Sequence, residues 1–510
     1  MLFAFQRILW MAMYNFCMAL LTADRRRFLT AVSNLAYCNP FLEERTKWER
    51  AALGAEFVER QLLWSANVVD PDKPSANVQK LYTRLGPELD EVRARLALAG
   101  EVSNADLSVY EESVQYFLYE RYHRRLCDAG GDWRFYQSFL EDWKYYLRIP
   151  GRRFEPSLRP EHVFACFRQV QRAFHLIFDH IIGNSMPAAR LRASVWQSVF
   201  SHDLRRYRRT LFARMQDFPT LISGPSGTGK ELVARAVAGS RYVPFDAVRM
   251  RFADPPGEAF LPINLAALSP ALIESELFGH KRGAFTGAIG DRKGWLDACP
   301  VAGSVFLDEL GEMELSIQVK LLRVLETRRF SAVGDTAVRE FSGKLIAATN
   351  RDLTVEIRAG RFREDLYYRL CADQIRTPSL REQIEDSPEM LGDLLHFMVK
   401  RTVGNNADSC VEDVRQWVRE NLPGDYGWPG NYRELEQCVR NVLIRRSYTP
   451  IQQRAAGDPY FERYQAGELK ADEVLSHYAS LVYRKLGSYE ETARRLGVDR
   501  RTVKAWVIRA

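Results

Sequence analysis

The stretch GPSGTGKE, residues 224 to 231, sets glycines ahead of a lysine at the spacing G-x-x-x-x-G-K. Gly224, Gly227 and Gly229 can turn their amides toward one point. The apolar run PTLIS (219 to 223) precedes the loop and the helical pattern ELVARAVAG (231 to 239) follows it, which is the strand, loop and helix setting this spacing requires. The amino terminus of that helix adds partial positive charge, so residues 224 to 231, Gly224, Pro225, Ser226, Gly227, Thr228, Gly229, Lys230 and Glu231, form a candidate phosphate cradle. Lys230 is placed to reach β and γ phosphates. Taken alone, a glycine-rich turn with a solvated lysine is the competing reading. A second feature argues against it: the apolar run SVFLDEL (304 to 310) ends in Asp308 and Glu309. One carboxylate can hold Mg²⁺ through water while the other polarises the attacking water, since phosphoryl transfer needs positioning and charge neutralisation. Loop and acid pair together indicate a nucleotide hydrolase whose substrate is a Mg-nucleotide. Glu231 stands where a Ser or Thr hydroxyl commonly ligates the metal, so either the metal is held differently or turnover is weak.

Such groups must be carried by a parallel sheet. The runs at 219 to 223, 304 to 310 and 344 to 350 (KLIAATN) are apolar without alternation, as in a sheet covered on both faces, where ligands bind at the carboxyl ends of the strands. Before about residue 180 the pattern is helical and aromatic-rich. Leu107, Tyr110, Val114, Phe117, Leu118 and Tyr122 fall at three- and four-residue steps and predict one buried helix face. DPDKPS (70 to 75) and RIPGRRFEPSLRP (148 to 160) punctuate the helical groups, and YTPIQQRAAGDPYFERYQAGELKAD (448 to 472) separates a short helical tail. The expected class is multidomain: a helical region over 1–180, an α/β P-loop core over 181–380 and a helical lid over 381–446. A linker over 447–472 and a small all-α tail over 473–510 complete it.

The totals agree with several folded domains. The chain has 510 residues, of which 46% are hydrophobic and 27% charged, too apolar for a largely disordered chain. The net charge of +7 is spread over too much chain to name a nucleic-acid partner by itself. The eight cysteines form no C-x-x-C pair and no zinc-ligand spacing, so reduced thiols in the cytoplasm are expected. The uncharged run at 8 to 23 is shorter than the ~20 apolar residues that span a bilayer and contains Asn15, so no membrane anchor is expected. DRRRF follows it directly and there is no small-residue cleavage site, which argues against a signal peptide.

From 181 to 446 the chain resembles the AAA+ ATPases that activate bacterial sigma-54 RNA polymerase, the enhancer-binding proteins. The resemblance rests on GPSGTGKELVARAV, LPINLAALSPALIESELFGHKRGAFTGA, GSVFLDELGEM, VKLLRVLE, IAATNRDL, GRFREDLYYRL and WPGNYRELEQCVRN, in that order. Members of that family also carry Glu after the P-loop lysine. The resemblance implies Asp308 for Mg²⁺, Glu309 for the water, and Asn264 as a switch that holds the catalytic glutamate. It also implies Thr349 and Asn350 as a sensor, Arg433 as a lid arginine on its own nucleotide, and Arg363 and Arg369 reaching a neighbouring subunit's γ-phosphate. A planar guanidinium suits spreading phosphate charge, although each arginine taken singly reads as a surface ion pair. Arginines acting in trans imply a homo-oligomeric ring, a hexamer by the resemblance.

In that family the string GAFTGA projects from the ring and touches sigma-54, which implies Gly283, Ala284, Phe285, Thr286, Gly287 and Ala288 as the contact. Phe285 and Thr286 form its tip. A loop phenylalanine folded back into a local core is the ordinary alternative. The chain departs from the family at Pro225, where Glu is common. It also departs in DAVRMRFADPPGEAF (246 to 260), which lengthens the approach to the second strand, and in SLREQIEDSPEM (379 to 390).

In the tail, Ser488 with Glu491 forms a capping-box pattern, Gly497 ends that helix and Asp499 can cap the next. Ala493, Leu496, Val498 and Val503 can pack the two helices together, leaving Arg500, Arg501, Thr502 and Lys504 exposed to double-stranded DNA in a helix-turn-helix arrangement. This part resembles the Fis-type modules of the same activators, for which upstream enhancer-like sites are expected. The basic run HDLRRYRRTLFAR (202 to 214) reads as a solvated helix face, and residues 1–180 are expected by position to regulate the ATPase. The combined expectation is an ATPase, converting ATP to ADP and phosphate, that activates transcription by remodelling sigma-54 RNA polymerase. A DNA-bound scaffold whose nucleotide site only controls assembly, and a remodeller of some other protein, are the rival readings.

Overall fold

Five parallel strands carry the centre of the molecule: β1 (Thr220–Ser223), β2 (Phe260–Asn264), β3 (Ser304–Asp308), β4 (Lys344–Thr349) and β5 (Asp373–Arg376), in the order β5-β1-β4-β3-β2. The computed structural model describes residues 20–59, 75–128, 130–154, 158–253, 260–404, 408–450, 463–464 and 466–509. The uncharged run at 8 to 23 lies almost wholly outside these residues, as do most of DPDKPS and parts of the segments at 148 to 160, 246 to 260 and 448 to 472. The chain divides into two units, Met1–Arg446 and Ser447–Ala510.

The unalternating strands are explained by burial on both sides. Leu221, Val305, Leu307, Leu345 and Ala347 face one core, closed by α9 (Pro270–Phe278), α10 (Leu315–Thr327) and α11 (Glu364–Leu370). Their neighbours Ile222, Phe306, Ile346, Ala348 and Ile375 face a second core, closed by α6 (Pro160–His180), α7 (Met186–Phe200) and α8 (Lys230–Gly239). Successive side chains of a strand point to opposite faces, so both sets must be apolar. β2 and β5 are the two strands whose mixed composition hid them from pattern reading.

Before the sheet come α1 (Ala23–Leu35), α2 (Glu43–Leu53), α3 (Ala76–Leu98), α4 (Asn104–Asp128) and α5 (Tyr136–Leu147). The predicted stripe on α4, from Leu107 to Tyr122, is buried throughout. α6 belongs to two cores at once: Val163, Phe164 and Phe167 join the amino-terminal helices, whereas Ala173 and Ile177 cover the sheet.

The segment that lengthens the approach to β2 forms a short antiparallel hairpin, Phe245–Asp246 against Arg251–Phe252. It docks on the amino-terminal helices. The Phe245 ring lies 4.9 Å from both Tyr136 and Phe164, and Phe252 lies 4.8 Å from Trp133. The insertion thus ties the helical region to the sheet domain with buried aromatic area. Phe245→Ala is expected to cost about 3–5 kcal/mol of stability, read as a lowered denaturant midpoint by tryptophan fluorescence.

The basic run at 202 to 214 differs from the expected solvated face. Tyr207 and Arg208 are buried, and Arg205 pairs with Glu112 of α4 at 2.9 Å. It fastens the sheet domain to the helical region because its side chains reach acceptors far away in sequence.

α12 (Leu380–Asp386), α13 (Met390–Val403), α14 (Asp408–Asn421) and α15 (Asn431–Arg445) form the helical group after the sheet, where the sequence predicts a lid. Among the described residues no helix is long and apolar enough to cross a membrane, and the described cysteines are free thiols.

Candidate active site

The carboxyl ends of the strands bring the candidate groups to one edge. In register, Ser223 lies opposite Thr349 and Arg376, and Asn264 lies opposite Asp308. The loop at 224 to 229 leaves β1 and turns into α8 at Lys230, with Gly229 in the left-handed region as its amino cap. Lys230 is buried, and its Nζ donates to the carbonyl oxygens of Gly224 and Pro225, both at 3.1 Å. Burial pushes the lysine pKa down, and Glu309 and Asp308 pull it back up. Asp308 is half-buried; desolvation raises its pKa, while the Glu309 amide, donating to Oδ1 at 3.0 Å, and Lys230 lower it. Lys230, Asp308 and Glu309 therefore share one electrostatic neighbourhood.

Glu309 itself has φ 56°, a left-handed conformation that a glutamate rarely adopts. Such strain persists only where surrounding structure imposes it, and it turns the chain sharply just after the strand end.

The lid closes over the loop through backbone and amide contacts. Asn431 Nδ2 donates to Ser226 O at 2.8 Å, its Oδ1 accepts from Leu380 N at 2.8 Å, and Tyr432 N donates to Gly227 O at 3.0 Å. Arg433 Nη1 reaches Ser226 Oγ at 3.4 Å. Gly227 has φ 76° and is packed so closely that a Cβ would run into the carbonyl oxygen of Gly430. Gly227→Ala is expected to displace the lid and weaken nucleotide binding about tenfold or more, checked with a fluorescent ATP analogue.

Two residues outside the sequence reading hold this arrangement. Thr377, fully buried just beyond β5, donates its amide to Ser223 O at 2.8 Å and shares a 2.7 Å hydroxyl contact with Thr228. Asn431, buried with φ 54°, links the loop to the start of α12. Nothing at Thr377 marks it in sequence; Asn431 sits two positions before Arg433 in WPGNYRELE, and that stretch was the available signal.

Other expected groups point elsewhere. Asn264 accepts from the Ala266 amide at 3.0 Å and caps its own turn rather than touching Glu309. Glu231 pairs with Arg235 at 2.7 Å, and Asn350 is exposed. Thr349 is buried, with its hydroxyl accepting from Arg351 N at 3.1 Å. Arg363 is bidentate to Asp365 at 3.0 and 2.5 Å at the start of α11, and Arg369 donates to Leu325 O at 3.1 Å. Within one chain neither arginine is bonded to the 224 to 231 loop.

GAFTGA forms a tight loop above a two-strand base, Gly279–His280 with Arg292–Lys293. Gly283 N donates to Ala288 O at 2.9 Å, and Gly283 and Gly287 take φ values of 81° and 104° with open space around them. At the base, Asp291 holds Lys281 Nζ at 2.7 Å and Arg282 N at 2.9 Å. Phe285 is 37% exposed, its ring edge-on to His280 at 4.9 Å, and does not enter the core. Ile289, just after the string, is 88% exposed and adds apolar surface that the sequence reading did not single out.

The second unit consists of α16 (Ala471–Leu486), α17 (Tyr489–Leu496) and α18 (Arg500–Arg509). Ser488 Oγ accepts from Glu491 N at 3.4 Å, Gly497 caps α17 with φ 69°, and Asp499 Oδ1 accepts from Arg501 N at 2.7 Å and Thr502 N at 3.0 Å. Ala493 and Val503 are buried where the helices meet, while Leu496 and Val498 are half-buried. Arg500, Arg501 and Lys504 are exposed, and Thr502 is tied to Asp499.

Residues 201–376 match the family model described as the Sigma-54 interaction domain. Regulatory protein LuxO of Vibrio vulnificus is 38% identical over 53% of this chain and 56% of its own. Transcriptional regulatory protein ZraR of Escherichia coli is 38% identical over 56% and 62%, and the Nif-specific regulatory protein of Herbaspirillum seropedicae 40% identical over 54% and 44%. The chain thus spans between 44% and 62% of the length of these relatives. The matched span holds β1 to β5, the 224 to 231 loop, Asp308, Glu309 and the GAFTGA loop. Over residues 201–376, about a third of its length, this chain is similar to the Sigma-54 interaction domain.

Proposed function

We propose that the chain is an ATP-driven activator of transcription that binds upstream DNA through α17 and α18 and remodels sigma-54 RNA polymerase through residues 283 to 288. The observation that carries this reading is the shared neighbourhood of Lys230, Asp308 and Glu309 beside a glycine loop clamped by Asn431, in the same domain as the loop that leaves Phe285 partly exposed. In it, amides of residues 224 to 229 and the start of α8 hold the phosphates, with Lys230 leaving its carbonyl partners for them. Glu309 orients the water, and Asp308 is the metal-side carboxylate.

The donor set fits Mg²⁺ as a nucleotide-borne ion. Among the described residues no group of three or more His, Cys, Asp or Glu side chains could hold a metal, and Mg²⁺ needs only one or two carboxylates when phosphates and waters supply the rest. When bound, the ion neutralises charge developing on the phosphates. Arg363 and Arg369, unbonded to their own loop, serve the site of the next subunit in a ring, with Asp365 released on assembly. Arg433 reads the nucleotide from the lid, Thr349 and Asn350 sense its γ-phosphate, and Asn264 exchanges its cap for Glu309 as the nucleotide state changes. Arg500, Arg501, Thr502 and Lys504 meet the DNA.

The test pairs two assays on the purified chain: ATP hydrolysis against protein concentration, and open-complex formation by sigma-54 RNA polymerase on a matched promoter. Hydrolysis that rises with assembly, together with ATP-dependent promoter opening, is expected. Concentration-independent or absent hydrolysis with intact DNA binding would favour the assembly scaffold instead.

A further inference from the structure

A cavity of about 720 Å³ lies between the amino-terminal helices α4 and α6 and the far end of α8. Trp133, Arg168, Arg172, His180, Arg235 and Phe260 are among its walls, and its described lining contains no Asp or Glu. Its size is that of an ordinary small-molecule pocket.

Two of its cations have no counter-ion among the described residues. Arg168 and Arg172 are one helical turn apart on α6, and the described lining around them offers neither a carboxylate. The Arg168 guanidinium lies over the rings of Phe252 at 4.0 Å and Trp133 at 4.6 Å, and Arg172 donates to Gly239 O at the end of α8. Burial pushes Arg168 down to about 10; burial and repulsion from Arg168 push Arg172 down to about 9. Two arginines elsewhere in the chain show the two ways such a charge is met, by a carboxylate or by carbonyl oxygens. Arg45 has Glu49 at 3.0 Å, and Arg192 spends its guanidinium on the carbonyls of Ile181 and Gly183. A third cation, Arg235 of α8, has a single carboxylate, Glu231, next to Lys230. Half-buried charges of like sign beside a cavity, with no carboxylate among the described residues to offset them, are costly, and a bound anion lowers that cost.

We propose that this cavity binds a small anion carrying at least two negative charges, held by Arg168, Arg172 and Arg235. Two chemistries supply such an anion, a phosphoryl compound or a polycarboxylate. The ligand bridges the region ahead of the sigma-54 interaction domain to the helix that begins at Lys230. Drawing Arg235 toward the anion frees Glu231, and this regulatory consequence, unlike the binding itself, rests on the proposed function.

Calorimetric titration of the full chain carrying Lys230→Ala, which weakens phosphate binding at the nucleotide loop, tests the binding with pyrophosphate and citrate in separate arms. One site per chain is expected for at least one of them, and the arm that binds names the source. Arg168→Gln and Arg172→Gln should each weaken binding about tenfold or more, and remove the rise in Tm that the anion produces over sodium chloride of equal ionic strength. No binding in either arm overturns the proposal, and so does binding that both substitutions leave unchanged. A purely structural role for Arg172 would lower Tm in Arg172→Gln without altering the titration, which also overturns it. ATP hydrolysis by the chain with Lys230 intact is measured alongside, so failure of this site is distinguishable from failure of the nucleotide reading.

Discussion

Glu309→Gln is expected to lower ATP hydrolysis by about 10²–10⁴-fold while leaving ATP bound, because the amide keeps the shape of the side chain and loses the charge that polarises water. The structure gives two reasons to place the effect here rather than at Asp308. Asp308 accepts the Glu309 amide, which fixes its carboxylate at the strand end, as suits a group that holds charge near the phosphates. Glu309 is turned by its φ of 56° out of the line of β3, at the edge where Ser223 and Thr349 also end. Phosphate release and binding of a fluorescent ATP analogue, measured on the same protein, decide the matter. A rate within a few-fold of the parent would remove Glu309 from the chemistry. Weakened binding with unchanged turnover at saturation would make it a ground-state contact instead.

Phe285→Ala and Thr286→Ala are expected to separate hydrolysis from transcription. Each alters a loop whose geometry is set locally: by the Gly283 to Ala288 hydrogen bond, by Asp291 at the base and by paired residues 279–280 and 292–293. None of those contacts involves residues 224 to 231, so ATP turnover should stay within about twofold of the parent. Removing a central aromatic from an interface commonly costs about 2 kcal/mol or more, some thirtyfold in affinity. Capture of sigma-54 in the presence of an ATP transition-state mimic, with promoter opening as the second readout, measures that loss. Retained capture and opening in both variants would move the contact elsewhere, with exposed Ile289 the nearest apolar candidate.

Much of the architecture was open to reading from local pattern. Residues 219 to 223, 304 to 310 and 344 to 350 were legible as buried parallel strands because two-sided burial leaves continuous apolar runs, and they correspond to β1, β3 and β4. The stripe from Leu107 to Tyr122 and the caps at Ser488 and Asp499 were legible because a helix repeats and terminates by short-range rules. Spacing alone likewise marked Lys230, Asp308 and Glu309 as candidates, since a strand must end and a loop must turn at particular residues. Thr377 and Asn431 were out of reach of such rules. Their partners Thr228 and Ser226 stand 149 and 205 positions away, and a buried hydroxyl or amide carries no periodic signature. The same holds for the hairpin at Phe245 and Phe252, and for Arg168 and Arg172, whose meaning depends on the acid-free described lining that folding gathers around them. Short-range order is written in neighbouring residues, so the sequence by itself determined the elements and the phosphate-loop candidates. The lid clamp, the aromatic anchor and the cationic cavity arise from chain segments that meet only after folding, when burial decides which polar groups find partners, and these the tertiary structure alone decided.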